Sequence, residues 1–154
     1  MVVFLLCVGI VLGTSYVGYS FALYYKKRKL FFSDFIDFLN HSKTQISFLQ
    51  SRRSNIFSSF GSGDSDFEKI TKNLAADKDV KKPAYLKQDE WFYVEHYMKN
   101  LGKSDVESEC QNIEANLQKA KALLSKCDKE CEQKYALCIK LGVAVGIAIS
   151  IIIV

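Results

Sequence analysis

Residues Leu101–Cys110 read LGKSDVESEC, and the way this stretch is parsed decides the fold. Gly102 follows the apolar series Trp91, Val94, Met98 and Leu101, the place where a left-handed helix cap favours glycine. Ser104 and Glu107 stand three apart, the spacing of a capping box, in which the hydroxyl accepts the glutamate amide and the carboxylate accepts the serine amide. Asp105 adds negative charge to a first turn, where the helix dipole welcomes it. The stretch therefore predicts a joint: one helix stops at Gly102 and another starts at Ser104. Leu101, Gly102, Ser104, Asp105 and Glu107 are its structural motif.

Beyond the joint, Val106, Cys110, Ile113, Leu117, Ala120, Leu124, Cys127 and Cys131 are spaced alternately four and three apart, and Cys138 lies seven further on. That is a heptad seam, so a long helix is expected to pack lengthwise on its neighbours. No Gly or Pro interrupts it before Gly142. In the seam, Cys110, Cys127 and Cys131 act as small hydrophobes. A zinc site would need a second cysteine pair or histidines to complete Cys127-x3-Cys131, and a reducing cytoplasm disfavours a disulfide. No metal or other cofactor is expected.

Upstream, the helix bearing Trp91 is expected to begin near Pro83, with Tyr93 and Tyr97 on a neighbouring face and His96 off the core face. From Lys29 to Gln50, Phe32, Phe35, Ile36, Leu39, Ile46 and Leu49 mark one stripe of an amphipathic helix. Phe31, Phe38 and Phe48 widen it, and Asp34, Asp37, Asn40 and Lys43 line the other face. Asn55–Phe60 restarts an apolar pattern, and Phe67, Ile70 and Leu74 give a short helix that ends before Asp77-Lys78-Asp79. Between them, Gly61-Ser62-Gly63-Asp64-Ser65 lacks the Gly-Lys-Ser/Thr ending of a phosphate loop and reads as a solvated linker. No run alternates apolar and polar residues, so the expected class is all-α, a membrane-anchored helical bundle.

The anchors are read from charge. The 21 Lys/Arg and 17 Asp/Glu of the 154-residue chain all lie between Lys26 and Lys140. Residues 1–25, at about 1.5 Å each, exceed the bilayer's hydrocarbon core. A cleaved signal peptide would want a basic start and small residues at its end; this run ends in Tyr16, Tyr19, Phe21, Tyr24 and Tyr25 instead, as in an interfacial belt. Lys26-Lys27-Arg28-Lys29 follows and puts that end of the span in the cytoplasm, a topology signal and not a nucleic-acid patch. Residues 141–154 form the second span, extending back to about Tyr135 with Lys140 snorkelling to the headgroups. Residues 26–140 are the cytoplasmic domain, with both termini outside. Gly9 and Gly13 in the first span, and Gly142, Gly146 and Ser150 in the second, repeat small residues four apart, the pattern that lets helices approach closely in lipid.

These features together resemble the stage III sporulation protein AB family of endospore-forming bacteria. The resemblance is carried by the first span with its basic cluster, Ile56-Phe57-Ser58-Ser59-Phe60, Leu101-Gly102-x-Ser104-Asp105, and the long helix running through Leu141-Gly142-Val143 into a terminal apolar span. The chain departs at Leu49–Ser54, where family members carry a Tyr-Gly and Pro-Leu turn, at Glu109, where they carry glutamine, and in its cysteines at 110, 127, 131 and 138. The resemblance implies a non-enzymatic scaffold of a secretion-like channel complex between mother cell and forespore, similar to the platform proteins of type II secretion and type IV pilus machines. It implies placement in the mother-cell-derived outer forespore membrane and contact with other stage III sporulation A proteins, above all the AA-type ATPase. Candidate contact surfaces are the acidic Asp105, Glu107 and Glu109 or the basic Lys81, Lys82 and Lys87.

Two other functions compete. A membrane-bound thiol or zinc hydrolase would need a base beside a nucleophile, and His41 and His96 supply no matching motif. A self-assembling membrane coiled coil unrelated to sporulation would fill the seam between chains and not within one. The expected partners are the lipid bilayer and proteins, not a nucleic acid or a small-molecule substrate.

Overall fold

The computed structural model describes residues 2–49, 53–61, 65–76 and 78–153. Gln50–Arg52 of the first interhelical turn, Ser62–Asp64 of the linker, Asp77 and the Leu49 side chain lie outside the described residues. Among the described residues every regular element is a helix: α1 Val2–Leu49, α2 Arg53–Ser58, α3 Asp66–Ala75, α4 Gln88–Asn100 and α5 Val106–Ile153. Two compact units result, and both contain parts of α1 and α5.

The unit Leu30–Leu124 is built on aromatic rings. Phe31, Phe35 and Phe38 recur at helical spacing on α1 and are fully or almost fully buried. Phe67 of α3 touches all three, with ring centroids 5.1, 5.9 and 5.7 Å away. Phe57 of α2 stacks on Phe38 at 5.3 Å, and Phe60 meets the same ring edge-on at 5.2 Å. Such offset and edge-to-face pairs add about 0.5–1.5 kcal/mol each beyond the area they bury. The α1 stripe buries Phe32, Phe35, Leu39 and Ile46, while Ile36 is half-buried. Phe48 does not widen it: its side chain is 82% exposed.

Helix starts are chosen by local acceptors. Ser65 caps α3 by accepting the Glu68 amide at 3.1 Å, with Asp66 and Glu68 in the first turn. Pro83 does not open α4. It begins a turn in which the Leu86 amide donates to the Pro83 carbonyl at 3.1 Å, which buries Tyr85 and Leu86. The Glu90 carboxylate accepts the Lys87 amide at 3.1 Å, and the helix starts at Gln88. From there Trp91, Val94, Met98 and Leu101 are buried as the sequence predicts, and His96 is exposed.

The other unit comprises Met1–Lys29 and Ser125–Val154. Here α1 and α5 run antiparallel: Gly18 faces Cys138 and Gly142, while Cys7 lies beside Ser150. Both long helices are long and apolar enough to cross a membrane. Only 11% and 6% of their most apolar windows are buried inside the protein, which is compatible with membrane association and unlike the core helix of a soluble domain.

Candidate functional site

Three places concentrate chemistry: the α4–α5 joint, the glycine-lined helix pair, and the ion pairs at the end of that pair.

At the joint, Gly102 has φ +78°, and the Leu101 amide closes α4 on the Tyr97 carbonyl at 3.0 Å. The start of α5 falls one residue later than the Ser104–Glu107 capping box predicts. Asp105 is the cap: its carboxylate accepts the Ser108 amide at 3.1 Å and its carbonyl accepts the Glu109 amide at 2.9 Å. A charged acceptor makes the stronger bond and also meets the helix dipole, so it displaces the hydroxyl next to it. The hydroxyl of Ser108 first, and its amide second, hold the Asp105 carboxyl below the usual carboxylate range. Ser104 and Glu107 are left exposed.

The buried row of α5 also differs from the expected seam at its start. Ile113, Leu117, Ala120 and Cys127 are buried, but Val106 is 44% exposed and Cys110 only half-buried. Glu109, four residues before Ile113, takes the buried position at 1% exposure. A straight helix drifts against a strict heptad, which moves the buried row onto residues 109, 113 and 117. Among the described residues neither Glu109 carboxylate oxygen has a hydrogen-bond partner, and the hydroxyl of Tyr97, also buried, has none. Burial first, and the charge of Glu109 second, push the Tyr97 hydroxyl well above its ordinary value. The acidic surface predicted at Asp105, Glu107 and Glu109 therefore shrinks to its first two members. Of the basic alternative, Lys81, Lys82 and Lys87 are all exposed, and Lys82 Nζ donates to the Leu86 carbonyl at 2.8 Å.

In the helix pair, a Cβ on Gly18 would meet the Cys138 carbonyl oxygen at 2.6 Å, and one on Gly142 would meet the Thr14 carbonyl oxygen at 2.8 Å. One on Gly146 would come within 2.9 Å of the Val11 Cα. Ser150 Oγ donates to the Gly146 carbonyl at 2.9 Å and reaches the Cys7 carbonyl across the pair at 3.5 Å. Gly9 and Gly13, by contrast, have open space where a side chain would begin. The α1 residue that completes the contact is Gly18, which sequence spacing did not single out. Two partners, Gly142 four residues past Cys138 and Thr14 four before Gly18, were the available clue.

Beyond this contact, Arg28 is 2% exposed and pairs with Glu130, and Lys29 pairs with Asp128. Two of the four cations read as a topology signal thus also tie α1 to α5. The sequence alone does not reveal this, because the partners lie about a hundred residues apart. His41 Nε2 lies 3.0 Å from Ser59 Oγ, and burial holds its imidazole below its usual range. Among the described residues no carboxylate orients that ring, so the pair lacks the third member of a nucleophilic site. The free cysteines are spread along α1 and α5; Cys110 Sγ sits 3.2 Å from Ser47 Oγ. Among the described residues no group of three potential metal ligands converges.

An all-helical chain with a long apolar helix toward each end defines a class of small helical proteins compatible with membrane association. Compared with known families, residues 3–154 match stage III sporulation protein AB (spore_III_AB), and the chain belongs to that family. No curated protein and no solved structure matches it.

Proposed function

We propose that this sporulation protein is a non-enzymatic membrane scaffold. Its apolar helix pair anchors it in the mother-cell-derived outer forespore membrane, with residues 26–140 in the cytoplasm and both termini outside. The cytoplasmic helices couple an AA-type secretion ATPase to the other stage III sporulation A proteins of a channel complex. The observation that carries this reading is family membership across residues 3–154, in a chain whose two long helices are each apolar enough to span a bilayer. The charge step at Lys26–Lys29 supports the topology.

The contact surface is the exposed acidic pair Asp105 and Glu107 or the exposed Lys81, Lys82 and Lys87. Charge reversal at each set, followed by co-purification of the full-length chain with the ATPase from solubilised membranes, separates them. One set should abolish capture while the other leaves it intact. Unchanged capture by both, together with normal sporulation of a deletion strain, would reject the scaffold reading.

The self-assembling coiled coil is the second reading. Ile113 and Ala120 are fully buried within one chain, which supports a seam filled internally. Sedimentation of residues 30–135 is expected to give a monomer.

A further inference from the structure

The contact between α1 and α5 leaves a groove of about 380 Å³ along one side of the pair. Thr14, Gly18, Cys138 and Gly142 make its floor, because glycine at the crossing brings the backbones together without filling the space beside them. Val17, Phe21, Leu141 and Val145 make its walls, and Gly13 leaves the wall open at one end. From Gly13 to Phe21 the groove runs along eight residues of helix, about 12 Å. The hydroxyl that lines it is already spent, since Thr14 Oγ1 donates to the Ile10 and Val11 carbonyls at 3.0 and 3.1 Å. Nothing in the groove asks for a polar occupant.

Cations stand on the same side, toward the charged end of the pair. Lys134 precedes Leu141 by seven residues, two turns of α5, so it shares the face that walls the groove. Lys27 follows Gly13 by fourteen residues, four turns of α1, and lies near the corresponding face. Both are exposed, and unlike Arg28 and Lys29 neither has an acidic partner among the described residues. Lys134 Nζ is held 5.4 Å from the Tyr25 ring, between the two helices' charged ends.

We propose that this groove binds one acyl chain of an anionic phospholipid whose phosphate is met by Lys27 and Lys134. Charge complementarity selects this occupant: a zwitterionic lipid or a second copy's helix would use the apolar groove but gain little from two cations that have no acidic partner among the described residues. The inference rests on the reading of α1 and α5 as membrane spans.

The test is native mass spectrometry of the full-length chain in detergent, titrated with phosphatidylglycerol or phosphatidylcholine. Phosphatidylglycerol should be retained and phosphatidylcholine lost. Lys27→Gln and Lys134→Gln should each weaken phosphatidylglycerol retention about fivefold. Gly13→Leu should abolish retention, because it fills the open end at a position where a Cβ meets nothing within 4 Å and α5 is untouched. Equal retention of the two lipids, or retention unaffected by the lysine changes, would overturn the proposal even if Gly13→Leu failed to fold. A dimer lost in Gly13→Leu would assign the groove to a second copy instead. Alkaline extraction of membranes is the separate control: release of the chain would defeat the membrane reading, whereas firm retention without lipid selectivity would defeat only the lipid site.

Discussion

The two compact units solve the same problem, joining α1 to its partners, with opposite residues. In Met1–Lys29 with Ser125–Val154 the contact is made by glycines, and backbone meets backbone. In Leu30–Leu124 it is made by phenylalanines, with Phe31, Phe35, Phe38 and Phe60 grouped round Phe67. On the proposed reading of the apolar helix pair as membrane spans, the physics of the surroundings explains the contrast. In water, burying large apolar area is itself the driving force, so big side chains are favoured. In lipid the surroundings are as apolar as the side chains, and close approach with interhelical hydrogen bonds is what remains to hold a pair together. A single helix, α1, changes its packing chemistry between its glycine end and its phenylalanine end.

The comparison breaks most visibly at Phe67. Phe67→Ala should cost about 3–5 kcal/mol, read by chemical denaturation of the full-length protein in detergent, and should leave the α1–α5 glycine contact unaffected. Gly18→Ile should do the reverse, with an overpacking cost of about 1–3 kcal/mol that appears as loss of cross-linking between cysteines placed on the apolar ends of α1 and α5. If the Gly18 change loosened the aromatic unit as much as its own, the two would not be independent.

Glu109 offers a finer test, because it is a buried carboxylate in the aromatic unit with no hydrogen-bond partner among the described residues. Glu109→Gln should stabilise by about 1–3 kcal/mol, since a neutral amide is cheaper to bury than a carboxylate. An unchanged or lower Tm would show that water or movement already satisfies the carboxylate.

Alkaline pH acts on the same unit. Burial pushes Tyr93 up to about 12 and raises Tyr85 and Tyr97 further. The folded state therefore holds protons that the unfolded chain releases near pH about 10. Stability should be full below that value and fall as pH rises through about 10 to 12, and Tyr97→Phe should flatten the fall. The smallest expected effect is at the joint: Asp105→Ala should lower Tm slightly and Ser104→Ala should not, and the opposite order would restore the serine cap.

The elements legible in the sequence were those set by local spacing. The Phe32–Phe35–Leu39 stripe, the Trp91–Val94–Met98–Leu101 face and the charge-free ends could be read because periodicity and charge are properties of neighbours along the chain. What stayed hidden depends on distant partners or on a contest between adjacent groups. Asp105 outcompeted Ser104 by charge. Pro83 opened a turn because Leu86 could be buried by it. Gly18 and the Arg28–Glu130 pair needed the antiparallel register of α1 and α5, which no short window contains. Glu109 was hidden for a further reason: a glutamate on a long helix reads as solvated, and only the drift of the buried row places it inside.

Gly102 carries one more consequence. Its φ of +78° lies in the region that L residues enter at a cost, yet among the described residues a Cβ of ordinary hand would meet only the Arg53 Cβ, at 3.6 Å. The penalty for L-alanine there is one of chirality and not of space, about 1–2 kcal/mol. A D-alanine, installed by chemical ligation, would find the same backbone angles comfortable and would restrict the unfolded chain as well. The turn that brings α5 back along α4, where the Tyr93 hydroxyl donates to the Asn116 carbonyl at 3.2 Å, thus depends on the one residue in the genetic alphabet that has no handedness.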